Sequence, residues 1–367
     1  MRGIIGFARS LQVPWMIRNP ADADQLADLL EIWRVDGIIA HIRNHRVLDV
    51  LADFHGPVIN TSFQRDDVPY PRVGVQDQRI GRLAAQHLIQ RGFRHFGAYA
   101  LGSQAYARTR LDGFAQAVIE AGFGPPAPGP YVDPTRLQAP RWWANMHHVI
   151  EEWLKRLPRP AAIFCANDNH AARVSHVCFE TGIRVPEEIA LVGVDDDPFY
   201  CNICDPALTS IQLPVERVGH EAACLLDRML HGNAPPAEPI LLPPLRVVTR
   251  PSSDIFAVED PVVADALHLI RRRVEHRLTV EQLLEELSVS RRSLEYKFQA
   301  ALGRTPLAEI HRQRLERARE LLLETDLPLQ TVAERSGYAT AARLCTVFRQ
   351  HMQISPAAWR QTYRTAN

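Results

Sequence analysis

The sequence predicts two unlike domains: an α/β domain built on parallel strands, then an all-helical one. Over residues 1–250, short β-branched runs alternate with longer helical stretches. At Pro251-Ser252-Ser253-Asp254 the alternation stops, and from Asp260 onward nothing reads as strand. The tail then overlays on itself when shifted by 50 residues, Leu294 on Leu344, Phe298 on Phe348 and Pro306 on Pro356.

Taken in order, the strands are expected at Gly37–Ala40, Pro57–Asn60, Phe96–Ala100, Ala162–Ala166 and Ile189–Val194. Their continuous apolar runs suit strands buried on both faces, as in a parallel sheet. Helices are expected near 22–34, 77–91, 109–121, 141–156, 168–181 and 215–231. The alternation places them on both sides of the sheet, so a ligand would sit beyond the carboxyl ends of the strands. In the tail, helices are expected at 261–276, 280–287, 291–301, 307–324, 329–335, 340–350 and 356–364. The domains are thus 1–255, a linker 256–263, and 264–362.

The chain has 367 residues, 46% hydrophobic and 23% charged, with 42 Lys/Arg against 42 Asp/Glu. That composition excludes disordered, collagen-like and coiled-coil chains. The zero net charge hides opposite signs. Residues 260–367 hold 17 Lys/Arg and 13 Asp/Glu, leaving 25 against 29 in the remainder. A basic tail beside an acidic front suits one module that meets phosphates. Six scattered cysteines, no membrane-length apolar run and an opening too short for a signal-peptide core predict a cytoplasmic protein.

Both copies of the tail repeat read as a short helix, a tight connection and a longer helix begun by Ser290 or Thr340, which are suited to N-capping. Leu294 and Phe298, or Leu344 and Phe348, face inward at a spacing of four. This is the layout of a helix-turn-helix, at about 281–302 and 329–352, whose second helix enters a major groove. The joining helix 307–324 is about 27 Å long, and successive groove faces on one side of a duplex lie about 34 Å apart. Arg291, Arg292, Ser293, Thr340 and Arg343 are the candidate groups at the groove, with arginine the commonest reader of guanine. Lys297, Arg304 and Arg349 are the phosphate candidates. Any one of these cations could equally serve as a solvated helix surface.

The tail is identified as a member of the AraC/XylS family on Leu315–Leu322, Val332–Tyr338, Phe348-Arg349 and Ser355–Arg360. Leu344 stands where that family has an aromatic, and Gln353 where it has a glycine that supplies a positive φ. The front resembles the LacI-type, periplasmic-binding-protein-like sensor domain. Val73–Asp77 with Ala84–His95, Arg110–Phe114, Ala166–Asp168, Val192–Asp196 and Leu245–Ser253 carry the likeness. Asn167, Asp168 and Asp195 follow apolar strands, where the cleft should open. Carboxylates accept from adjacent hydroxyls and a guanidinium donates in a planar fork, so Arg110 facing Asp168 and Asp195 suits a polyol. Helix capping is the plainer role for the two aspartates. Trp142 and Trp143 could stack on a sugar face, although their helical context with Trp153 favours packing.

Together the resemblances imply a homodimeric transcriptional activator of sugar catabolism. It would respond to a pentose, D-xylose first, bind direct half-sites and meet RNA polymerase. The alternatives are a regulator whose front domain only dimerises or binds protein, and an alkyl-transferring repair enzyme, which would need a reactive cysteine motif. No cofactor, metal or catalytic residue is expected. Cys201-Asn202-Ile203-Cys204 lacks a second ligand pair, and adjacent His147 and His148 face apart on a helix. Arg2–Ser10 resembles the middle of the first sensor helix. The strand and loop before it, about twenty residues, are absent, which would leave buried backbone groups unpaired at about 1–3 kcal/mol each. The resemblance therefore implies a natural start upstream of Met1.

Overall fold

The computed structural model describes residues 1–11, 15–102, 104–130, 142–258 and 260–363, with Trp143, Thr362 and Tyr363 by backbone alone. Trp143, as a stacking candidate, thus lies outside the described side chains. The chain forms two compact units, Met1–Leu88 with Arg94–Asp254, and Ile89–Phe93 with Ile255–Asn367.

The first unit opens with α1 (Arg2–Ser10), α2 (Ala23–Ile32), β1 (Ile38–Ala40), α3 (His45–Leu51), β2 (Val58–Asn60) and β3 (Val73–Val75). It continues with α4 (Asp77–Gln90), β4 (His95–Tyr99), α5 (Ala105–Glu120), β5 (Ala127–Pro128), α6 (Trp142–Arg156) and β6 (Ala161–Cys165). Then follow α7 (Asp168–Glu180), β7 (Ile189–Asp195), α8 (Pro198–Ile203), β8 (Thr209–Gln212), α9 (Val215–Leu230), β9 (Ile240–Leu242) and β10 (Arg246–Val248). A single 3₁₀ turn, Pro251–Ser253, closes the unit.

Six strands form one sheet in the order β10-β8-β7-β6-β4-β5, parallel except for the β10–β8 edge. All five residues of β6 are buried, as their unbroken apolar run requires. A second group pairs β1 with β2 and β3 with β9, all parallel, with a bridge from Asn60 to Arg72 between the pairs. Among the described residues no strand covers the other edge of β1, whose residues are half-buried. Helix α5 begins at Ala105, four residues before the expected start, and α3, α8 and five strands of two to four residues are additions. Such strands are too short for alternation to show.

Helices α4 and α5 touch backbone to backbone. A Cβ on Gly81 would lie 1.9 Å from the Arg110 carbonyl oxygen, and one on Gly113 2.1 Å from that of Gln78. Only glycine permits this approach.

The second unit contains α10 (Pro261–Arg272), α11 (Val280–Leu287), α12 (Arg291–Leu302), α13 (Pro306–Glu324), α14 (Leu329–Arg335), α15 (Ala341–Met352) and α16 (Pro356–Tyr363). Helix α10 stops four residues short of its expected end, where the chain tightens into a 3₁₀ turn and Arg277 turns left-handed at φ 50°. Each repeat copy has its own core. Leu283, Leu294 and Phe298 pack with Ile310 in the first; Ala333, Leu344 and Phe348 pack with Trp359 in the second. Helix α13 contributes to both. Ser290 and Thr340 cap α12 and α15 by accepting from the amides of Ser293 and Arg343. Gln353 takes the left-handed turn at φ 62°, matching Gly303 at φ 67° in the first copy.

Candidate ligand cleft and nucleic-acid interface

The cleft gathers the N-terminal ends of α4 and α5 and the carboxyl ends of β6 and β7. Arg110, 6% exposed, donates from Nε to Asp77 Oδ1 at 2.8 Å and from Nη1 to the Ala166 carbonyl at 2.7 Å. Its Nη1 lies 3.7 Å from Asp195 Oδ1, and its guanidinium sits 4.8 Å from the centre of the Tyr106 ring. Asp195 leaves β7 at φ 111°, and Asp196 follows at φ 55°. This left-handed pair is costly for non-glycine residues and turns the chain sharply at the strand end. Asp196 is held there by Arg250 at 2.7 Å. Asn167 caps α7 by accepting from the His170 amide and donates from Nδ2 to the Tyr106 hydroxyl at 3.1 Å.

Desolvation by the cleft walls raises the Asp195 carboxyl against the pull of Arg110, although the side chain itself is 47% exposed. Burial also raises Asp77, again opposed by Arg110. Beside them a cavity of about 360 Å³ is lined by Phe63, Gln76, Asp77, Tyr106, Thr109 and Leu241 among others, a volume suited to a small ligand.

Asp168 is a correction to the expected ligand set. It is 1% exposed, and both oxygens serve the wall. Oδ1 accepts from the Ser210 hydroxyl at 2.6 Å, and Oδ2 from the Asp197 amide at 2.9 Å and the Cys201 thiol at 3.6 Å. Burial pushes its carboxyl up to about 7. Arg110 therefore faces Asp77 and Asp195, not Asp168. Asp77 and Tyr106 went unnominated, although Asp77 follows β3 just as Asp168 follows β6. Trp142 is buried among Met146, Ile150 and Trp153, with Arg173 over its ring at 5.0 Å. Cys201 and Cys204 are separate buried thiols. His147 and His148 pair with different acids, Glu180 and Glu151. No group that could hold a metal occurs among the described residues.

In the second unit, α12 and α15 present their first turns outward. Arg292, Arg343 and Arg349 are exposed, with no side-chain hydrogen bond or ion pair among the described residues. Arg291 is also exposed but pairs with Glu281 at 3.5 Å and Glu295 at 3.3 Å. Ser293 is half-buried and Thr340 exposed, both at the cap. Tyr296 was missed by sequence reasoning. It lies one turn beyond Arg292 and is 75% exposed, so it shares the outward face.

Two phosphate candidates are corrected. Arg304 points inward, donating from Nε to Glu309 at 2.7 Å and from Nη2 to the Gln90 carbonyl at 2.6 Å. Lys297 is tied to Asp260, the cap of α10. Their charges are neutralised inside the unit, where a phosphate would have to displace a carboxylate.

Residues 85–253 match the family model of a periplasmic binding protein-like domain, and residues 283–362 that of a helix-turn-helix domain. The chain is 28% identical to the xylose operon regulatory protein of Escherichia coli K12, over 98% of this chain and 92% of that protein. The protein of the same name from Haemophilus influenzae Rd is also 28% identical, over 98% and 94%. The solved structure of the xylose-binding transcription activator XylR covers 99% of this chain and 94% of its own, at 27% identity and TM-score 0.60. The CelR–cellobiose complex covers 68% and 78%, at 25% identity and TM-score 0.51. No described helix is long and apolar enough to cross a membrane.

Proposed function

We propose that this chain, a DNA-binding transcriptional regulator that joins a LacI-type sensor domain to an AraC/XylS-type helix-turn-helix tail, activates pentose catabolism genes in response to D-xylose. One observation carries the sugar reading. At the mouth of the parallel strands, Arg110 is held between Asp77 and Asp195, beside the Tyr106 hydroxyl and Asn167. That set alternates fixed donors and acceptors over a few ångströms, which suits vicinal hydroxyls. Arg110, Asn167, Asp77 and Asp195 are the proposed ligand groups, and Asp168 positions the loop that carries Asp195–Asp197.

Arg291, Arg292, Ser293, Thr340 and Arg343 are proposed to reach base edges, and Arg349 a phosphate. Helix α13, at 19 residues about 29 Å long, spaces the two readers for direct half-sites on one side of a duplex. The working form is a cytoplasmic homodimer that recruits RNA polymerase. Sugar and DNA must tighten each other's binding by the same factor.

Calorimetry against D-xylose, L-arabinose and D-ribose tests the ligand, and footprinting with and without D-xylose tests the response. A saturable heat with D-xylose and a sugar-dependent footprint are expected. No heat with any pentose, alongside an unchanged footprint, would leave a front domain that only dimerises or binds a protein.

A further inference from the structure

We propose that α4 is the element through which the cleft acts on the DNA-binding unit, with His87 as its positioning residue. This rests on the reading of the cleft as a sugar site.

The first end of α4 belongs to the cleft. Asp77, in its first turn, is the buried partner of Arg110. Four residues on, Gly81 sits against the Arg110 carbonyl itself, and Gly113 of α5 against that of Gln78. At these two glycines no side chain lies between the helices to absorb a shift. Any displacement of Arg110 toward a ligand is therefore passed to α4 at two points, an ion pair and a backbone contact.

The other end of α4 reaches the place where the chain leaves the first unit. His87, about 15 Å along the helix from Asp77, is buried, and its Nε2 lies 2.9 Å from the Ser253 hydroxyl. The Ser253 proton is already given to Thr209 Oγ1, and the Thr209 proton to the Arg250 carbonyl. Ser253 can thus only accept from His87, which fixes the proton on Nε2. Ser252 meanwhile donates to the Leu191 carbonyl of β7 and accepts from the Thr209 amide of β8. The Pro251–Ser253 turn is consequently gripped by α4 on one side and by the sheet on the other. It is the last element of the first unit, and from Ile255 the chain belongs to the second. Ile89–Phe93, directly after the His87 turn of α4, belongs to the second unit as well. The chain passes between the units at 88/89, 93/94 and 254/255; α4 contains the first, leads to the second and holds Ser253 beside the third. A contiguous packed and hydrogen-bonded element of this kind is what carries coupling between distant sites.

The full chain is the material for the test. DNA affinity is measured by anisotropy on a footprinted duplex, without and with saturating D-xylose, and sugar affinity by calorimetry. The wild-type ratio of the two DNA affinities should fall within about 5- to 150-fold, the usual range of allosteric coupling. His87→Leu and Ser253→Ala should keep the sugar affinity and the sugar-free DNA affinity within about twofold, while the ratio falls toward one. His87→Gln, whose amide can still donate to Ser253, should restore most of the ratio, which a loss of packing alone would not allow. If His87→Leu fails to fold, Ser253→Ala decides, because it removes the acceptor with little change of volume. Sugar-binding variants with the wild-type ratio would overturn the role of His87 and leave the sensor reading standing. A wild-type ratio of one would overturn the sensor reading itself, and this proposal with it.

Discussion

The two halves of the tail fill the same place with opposite chemistry. Glu309 and Trp359 are the same position in the 50-residue overlay, and both are buried. In the second copy, Trp359 packs edge-on against Phe348 at 5.6 Å, with the Arg319 guanidinium 5.1 Å from its ring centre. In the first, the Glu309 carboxylate accepts from Arg304, Arg312 and Gln313. Burial alone would raise its carboxyl, but Arg312 and Arg304 outweigh that and hold it below the ordinary glutamate range. One fold position can thus be closed by dispersion and apolar burial or by a compensated charge cluster. The second solution works only while every member is present.

The largest expected effect follows from that condition. Glu309→Gln leaves two inward guanidinium groups without a counter-charge and should destabilise the second unit by about 3–5 kcal/mol. Trp359→Ala should lose a similar amount, about 3–5 kcal/mol, through its cavity. Urea unfolding at several pH values separates the two halves. A carboxyl held low in the folded state contributes stability above its unfolded pKa of about 4.3, and that contribution is lost as pH falls through the lower folded value. The acid sensitivity should therefore disappear in Glu309→Gln and persist in Trp359→Ala. Equal acid sensitivity in both variants would place the titrating group elsewhere.

The proposed base readers differ in the same way. Arg343 carries no carboxylate partner among the described residues, whereas Arg291 is shared between Glu281 and Glu295. Arg343→Ala should cost about 1–3 kcal/mol on a cognate duplex and relax preference at one base pair. Arg291→Ala should cost less, since DNA must first draw that guanidinium from its acids. An equal loss on cognate and random DNA would reassign Arg343 to a phosphate.

How far the sequence could be read follows the same divide between apolar and polar signals. The seven tail helices lie close to where expected, α10 ending early, because apolar residues at helical spacing mark them and Thr279, Ser290, Thr305 and Thr340 cap four of them. Glu309 escaped, since a charged residue in a helix with four arginines and four glutamates reads as surface. The overlay with Trp359 was the available signal that its position is interior. In the front unit the long apolar strands and most helices were legible. The expected roles of Asp168 and Arg304 changed because a side chain's direction depends on its neighbours. Ser210 and the Asp197 amide take up the first, and Glu309 the second. Asp77 needed the partner Arg110, 33 residues away, to mark it as a candidate for the site.

The two helix ends also form a matched pair. Gln353 holds the left-handed cap that Gly303 holds in the first copy, and a left-handed L-residue carries a penalty of about 1–2 kcal/mol. Gln353→Gly removes that penalty but frees the unfolded chain, which returns about 0.4–1 kcal/mol. A net stabilisation of up to about 1 kcal/mol is expected from thermal melting. A destabilised variant would mean that the Gln353 amide, donating to the Gln350 carbonyl at 3.1 Å, matters more than its backbone.

The smallest effect belongs to the acids that flank Arg291. Glu295 lies one turn after it on α12, and an exposed pair at that spacing contributes little to stability. Its larger influence is expected on DNA binding, because a carboxylate on the helix proposed to face the groove would both occupy Arg291 and repel phosphates. Glu295→Gln should leave the melting temperature nearly unchanged and tighten binding to cognate and random duplexes alike, by about twofold at moderate salt. The gain should fade as salt rises, since exposed charges are screened over about 8–10 Å. Arg349→Gln is the counterpart in the second copy, where no acid pairs with the arginine among the described residues. It should weaken both duplexes together and lower the salt slope by about one. If Glu295→Gln tightened only the cognate duplex, Arg291 would be reading a base that Glu295 had kept from it, and the first copy would share in specificity.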